Sequence, residues 1–237
     1  PNGYNDINEI KYENEHFDII SVCTPTNSHF NILIDILKFS PKLVFAEKPL
    51  TDSIHNSNII LDEFNKANIK LAVNHTRRWN KEIIQLKSDI ANKKWGKLRT
   101  INGIYNKGIL NNGTHVIDFL YMLMDEMKFI SSGIPIHDFF DQDPSIPFNL
   151  EGKGEIPIQI SCANANDYTI FEFQFVFSNC IIYMENGGEF WRERKVENSQ
   201  IYLGYKVLSS GYIRNGNASD TYINIMNNLY DCIIINS

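Results

Sequence analysis

Over the first 75 residues, short apolar runs alternate with helical patterns. Asp18 to Cys23 is a compact apolar run, and Asn27 to Phe39 follows with Phe30, Leu33, Ile34 and Leu37 at i, i+3, i+4, i+7. Leu43-Val44-Phe45 is the second run. Ser53 to Ala67 then places Ile60, Leu61, Phe64 and Ala67 on one side, and Leu71-Ala72-Val73 is the third run. Continuous apolar runs between amphipathic helices are the pattern of parallel strands covered on both faces. The prediction is a β-α-β-α-β series, part of a Rossmann-type doubly wound α/β sheet.

Beyond residue 76 the pattern changes. A helix is predicted near Trp79 to Ala91, a strand over Leu98 to Tyr105, and a long helix over Asn111 to Met127 with Val116, Phe119, Leu120, Leu123, Met124 and Met127 on one stripe. Asp138 to Gly154, which carries Pro and Gly, reads as a long loop. From Tyr168 to Ser178 the alternation is strict, with Phe171, Phe173, Phe175 and Phe177 on one face and Glu172 and Gln174 on the other. A period of two with one polar face predicts an antiparallel, half-solvated sheet. More strands are expected at Ile181 to Glu185 and Glu189 to Lys195, and a closing helix over Ser219 to Ile233. Two domains follow: a Rossmann-like parallel α/β unit over 1–76, and an α+β domain with a mostly antiparallel open sheet over 77–237.

Composition narrows the partners. The 237 residues carry a net charge of −6, so no positive field draws phosphate backbones or anionic membranes. Neither a nucleic-acid nor a membrane partner is expected. Cys23, Cys162, Cys180 and Cys232 stand singly, without disulfide or metal-ligand spacing. No metal site is expected, and a reduced, cytoplasmic setting fits. No apolar run is long enough to span a bilayer.

In an open parallel sheet, ligands bind at the carboxyl ends of the strands. Thr24-Pro25-Thr26-Asn27-Ser28-His29 follows the first run, Ala46-Glu47-Lys48-Pro49 the second, and Asn74-His75-Thr76-Arg77-Arg78-Trp79 the third. All three are rich in hydrogen-bonding groups. Each also has a plainer reading. Lys48 can be a surface lysine at a strand end, His29 a first-turn residue of its helix, and Trp79 a core aromatic.

V-x-x-T-P-x-x-x-H, then E-K-P, then Arg-Arg-aromatic, each after a strand, resembles the Gfo/Idh/MocA oxidoreductases. Gly113-Thr114-His115-Val116-Ile117-Asp118 is similar to the family's G-[ST]-H-x-x-D segment. The resemblance implies an enzyme that moves a hydride between NAD or NADP and a hydroxyl or ketone of a sugar or sugar derivative, nucleotide sugars included. It implies that Lys48 works beside the nicotinamide and the reacting hydroxyl, exchanging its proton or hydrogen-bonding the developing alkoxide. Thr24, Pro25, Asn27, His29, Glu47, Lys48, Pro49 and Arg78 would bind cofactor. Asn111, Thr114 and His115 would meet the sugar, with His115 and Asn111 joining Lys48 in catalysis. Further implications are a cis Lys48–Pro49 bond and a homo-oligomer, dimer or tetramer, built on the open sheet.

One position departs from the pattern. Many family members have an aspartate where Asn111 stands, and an amide hydrogen-bonds a hydroxyl without serving as a base. The family's opening strand and G-x-G-x-x-G/A turn have no counterpart here. The pattern over Asp6 to Glu13 resembles the segment before the family's fourth strand, so about fifty residues are expected to be absent at the start. Two alternatives stay open: a non-catalytic nucleotide-binding regulator or scaffold, and an NAD-dependent glycoside hydrolase of the same superfamily.

Overall fold

The computed structural model describes residues 3, 6–10, 16–217 and 219–234. The chain divides into two compact units, Pro1–Thr76 with Ile223–Ser237, and Arg77–Tyr222. The segment from Ile223 thus groups with the first unit, whereas the sequence boundary left it with the second. Ile7–Glu9 forms a short 3-10 turn. The rest of the pattern expected over 6–13 lies outside the described residues from residue 11 onward.

The first unit holds three parallel strands, β1 (Ile19–Val22), β2 (Leu43–Ala46) and β3 (Lys70–Val73), in the order β1-β2-β3. They are joined by α1 (Thr26–Ile36) and α2 (Ile54–Lys66). Ile19 pairs with Leu43 and Leu43 with Lys70, so the three carboxyl ends finish level. Every residue of the central strand is buried, which explains its unbroken apolar run. Leu33 and Ile36 of α1 and Ile60 and Phe64 of α2 close over Val22, Val44 and Ala46. The side chain of Ser53 caps α2 by accepting from the Asn56 N–H. Lys70, on the edge strand, donates its ammonium to the Cys232 carbonyl in the last turn of the closing helix, where backbone carbonyls lack helical partners.

In the second unit, α3 (Lys81–Ala91) is capped by Asn80, which accepts from the Glu82 and Ile83 N–H groups. The sheet has nine strands: β4 (Leu98–Tyr105), β5 (Met127–Ser132), β6 (Phe148–Gly152), β7 (Ile156–Cys162), β8 (Phe171–Phe177), β9 (Cys180–Glu185), β10 (Phe190–Asn198), β11 (Lys206–Leu208) and β12 (Tyr212–Asn215). The order is β11-β10-β9-β8-β4-β7-β6-β5, with β12 also on β10. Among the described residues of this sheet, only β4 and β7 run parallel. The inward face carries the four phenylalanines of β8, and Phe119 of α4 (Thr114–Met124) packs on them. Its ring centroid lies 4.8 Å from Phe173, 6.1 Å from Phe175 and 6.3 Å from Phe171. Gly103 leaves room for this layer, because a Cβ there would stand 2.7 Å from the Phe173 ring and 2.8 Å from Ile160. The closing helix α5 spans Thr221–Ile234.

The sequence expectation also differs from this structure around the long helix and in the segment after it. The long helix begins at Thr114, since Gly108–Gly113 forms a π-turn. It stops at Met124, where Asp125 takes a positive φ of 59°, and Met127 of the apolar stripe opens a strand instead. The segment read as a loop over 138–154 contains β6, whose five residues sit beside Pro144 and Pro147.

Candidate functional site

The carboxyl ends of the three parallel strands carry the first group of residues. Thr24 and Pro25 are exposed just beyond β1; Pro25 is the N-cap of α1, and Asn27 is exposed in its first turn. Glu47, Lys48 and Pro49 follow β2 and are half-buried, and the Lys48–Pro49 peptide is cis. Glu47 is anchored twice. Its N–H donates to Val22 O at 2.9 Å, and its carboxylate accepts from Asn74 Nδ2 at 2.7 Å. Asn74 is itself buried after β3 and donates its own N–H to Ala46 O at 2.8 Å.

His29 is entirely buried. Its Nε2 lies 2.8 Å from Thr24 O, and its Nδ1 lies 3.0 Å from Pro49 O and 3.2 Å from Leu50 O. A proton on Nε2 donates to Thr24, one on Nδ1 is shared between Pro49 and Leu50, and the imidazolium makes both sets of bonds. The three strand ends thus present a hydroxyl, an ammonium and an amide within one unit. Such a donor set fits the polar half of a nicotinamide nucleotide at the end of a parallel sheet.

The second group lies on the second unit, around the π-turn that leads into α4. Such turns are rare and recur at functional sites. Here a π-turn over Gly108–Gly113 takes the place of the α-helix expected from Asn111. Asn111 is half-buried, and its Nδ2 donates to Lys107 O at 3.1 Å. The Thr114 hydroxyl donates to the Leu110 and Asn111 carbonyls at 3.1 and 3.0 Å. His115 is half-buried in the first turn of α4.

Arg78, expected to contact cofactor, holds Asp118 with two nitrogens. Nε lies 2.9 and 3.1 Å from the two carboxylate oxygens, and Nη2 lies 2.8 Å from Oδ1. Neighbouring Arg77 stacks 3.6 Å from the Phe171 ring centroid. Burial pushes its guanidinium down to about 10 against the opposing pull of Asp118, which leaves it cationic at neutral pH.

Two residues absent from the sequence expectation build this second group. The Asp143 carboxylate accepts from the Leu110 N–H at 2.8 Å and the Asn111 N–H at 2.9 Å, satisfying the amino end of the turn. The turn opens on two left-handed residues, Lys107 (φ 68°) and Gly108 (φ 83°), and a Cβ on Gly108 would collide with Asp143. Asp138 braces the same loop, accepting from Ala165 N–H at 2.9 Å and from the Ser145 hydroxyl. Desolvation pushes its carboxyl up, but hydrogen bonds from the Phe139, Ala165 and Lys107 N–H groups and from Ser145 outweigh this and hold it below its usual value. The advance signal for Asp143 was its place before Pro144 and Ser145 in a turn-rich stretch, which fixes no partner, and Asp138 carried none.

These features define a parallel α/β unit followed by an α+β domain on an open sheet. Residues 2–75 match the family described as an oxidoreductase family with an NAD-binding Rossmann fold. Over these residues the chain is similar to the Gfo/Idh/MocA oxidoreductases. A curated relative, myo-inositol 2-dehydrogenase from Thermotoga maritima, is 32% identical over 95 residues, which is 40% of this chain. The aligned stretch spans 28% of that relative's length. Among solved structures, a dehydrogenase (MviM) from Clostridium difficile superposes with a TM-score of 0.75 at 17% identity, over 98% of this chain and 75% of the other. A super-repressor mutant of Gal80p from Saccharomyces cerevisiae gives 0.71 at 17% identity, over 89% and 65%. At these identities the two structures establish a shared fold.

Proposed function

We propose that the chain is the working part of an NAD(P)-dependent oxidoreductase acting on a hydroxyl or ketone of a sugar or cyclic polyol, with Lys48 as its proton-handling residue. The observation that carries this reading is the anchored Glu47-Lys48-Pro49 segment at the end of the central strand, inside the residues that match the NAD-binding family. The relative named for myo-inositol oxidation supports a polyhydroxylated substrate. Nicotinamide, when bound, supplies or accepts the hydride.

The chain's own groups do the rest. The Lys48 ammonium donates a hydrogen bond to the substrate oxygen and gives or takes its proton as that oxygen changes between hydroxyl and carbonyl. Thr24, Pro25, Asn27, Glu47 and Pro49 line the cofactor side. On the second unit, Asn111, Thr114 and His115 bind sugar hydroxyls, and His115 carries a second exchangeable proton. We also assign self-association to the outward face of the large sheet. There Asn102 Nδ2 donates to Gln174 Oε1 and Gln174 Nε2 donates to Tyr183 Oη, each at 2.9 Å, in a polar row that meets Arg192 on the next strand.

Incubating the protein with NAD or NADP and a panel of polyols and aldoses, while following reduced nicotinamide by absorbance, tests the reading. Substrate-dependent formation of reduced cofactor supports it; none across the panel, with cofactor bound, opposes it. A second reading, a regulator that binds nucleotide without turnover, has one observation in its favour. Asn111 replaces the family's frequent carboxylate, and its amide is engaged with its own turn at Lys107. Cofactor binding without any hydride transfer would favour that reading.

A further inference from the structure

We propose that His29 is a positioning residue for Lys48: it ties the loop after β2 to the loop after β1 and so fixes the backbone from which the lysine projects. This rests on the role given to Lys48 above, and it assigns His29 to the backbone in place of the cofactor. The ring has no exposed surface with which to meet a ligand. Its two nitrogens reach three carbonyls on two segments far apart in sequence, Thr24 on one side and Pro49 and Leu50 on the other.

Lys48 lies between two anchors. On its amino side, Glu47 is held through its N–H by Val22 and through its carboxylate by Asn74. On its carboxyl side, the next two carbonyls are those that His29 holds. Beyond them Thr51 is buried, its hydroxyl donating to Ser53 O at 2.8 Å and lying 2.7 Å from Ser57 Oγ. Loss of the imidazole frees the carbonyls on the carboxyl side while the Asn74–Glu47 bond stays. The lysine then loses the anchor on its carboxyl side. Small misplacements of a reacting group are costly in rate, so the effect falls on turnover more than on cofactor affinity.

The test compares His29→Leu and His29→Gln with the parent protein by amide hydrogen exchange and steady-state kinetics. Exchange at Leu50 to Asp52 should rise about tenfold or more in His29→Leu, with Val44 to Ala46 changed less than about twofold. His29→Gln, which keeps one donor, should fall between and is the informative variant if the leucine protein does not fold. In turnover, kcat should drop roughly 10–100-fold while KM for the nicotinamide cofactor stays within about twofold. Exchange that rises uniformly through the first unit, or does not rise at Leu50 to Asp52, overturns the proposal. If the exchange pattern appears while Lys48→Met leaves turnover intact, the clamp stands and the role given to Lys48 falls.

Discussion

Replacing Asn111 by aspartate restores the residue many relatives carry, and the structure predicts that it destabilises this chain. The Asn111 amide donates to Lys107 O at 3.1 Å. A carboxylate cannot donate there, so a hydrogen bond worth about 1 kcal/mol is lost. The backbone N–H of the same residue is already bound to Asp143 at 2.9 Å, so the new charge sits close to an existing one. At a separation of ~6 Å and an effective dielectric of roughly 20 to 80, that repulsion is about 1–3 kcal/mol. Together these come to about 2–4 kcal/mol at pH 8, or a fall in Tm of roughly 5–15 °C for a unit of this size.

The pH dependence follows from the same contacts. Both the repulsion and the lost bond favour the protonated acid, which can donate to Lys107 O, so the folded-state pKa of the new carboxyl rises above its unfolded value near ~4. The penalty is then absent below that unfolded value and grows as pH rises through the folded one. Thermal melts of parent and Asn111→Asp proteins, followed by circular dichroism at pH 4 and pH 8, give the measurement. A variant as stable as the parent at pH 8, or a deficit independent of pH, refutes the contacts described around the π-turn.

Three further outcomes are expected. Phe119→Ala removes the ring at the centre of the β8 phenylalanine layer and should cost about 3–5 kcal/mol in urea unfolding; a loss under ~1 kcal/mol would contradict that packing. Burial pushes the Cys162 thiol up to about 11 and the Cys180 thiol up to about 12, so at pH 8 iodoacetamide should label exposed Cys23 well before either, as read by peptide mass spectrometry. If the outward sheet face self-associates, light scattering at tens of micromolar should give at least a dimer, and Gln174→Arg should shift it toward monomer; a parent monomer at that concentration removes the assignment.

Much of the fold was readable because burial wrote itself into the sequence at regular periods. The strand Leu43–Ala46 is buried at every position and reads as a continuous run, while Phe171–Phe177 buries every second residue and reads as alternation. The strand Ile156–Cys162 escaped notice because Pro157 breaks a pattern that is otherwise only half apolar. The π-turn escaped for a different reason. One widened turn shifts the spacing by a single residue, and the apolar stripe from Val116 onward is unaffected.

The site divides in the same way. Glu47, Lys48 and Pro49 stand out as a motif, since adjacent residues need no tertiary information to be recognised. His29 stood out too, but what it touches lies 20 residues away at Pro49. Asp143 reaches back 32 residues to Asn111. No local pattern encodes such a contact, and a carboxylate among turn residues reads first as solvent-exposed.

The central claim is that Lys48 moves the proton while the nicotinamide moves the hydride. Measuring turnover and cofactor affinity together for Lys48→Met tests it most directly, because the substitution keeps most of the side chain's length and flexibility while removing its charge and its exchangeable proton. The account predicts cofactor binding within a few-fold of the parent and turnover lower by roughly 10²–10⁴. Turnover equal to that of the parent, with cofactor and substrate bound normally, would contradict it.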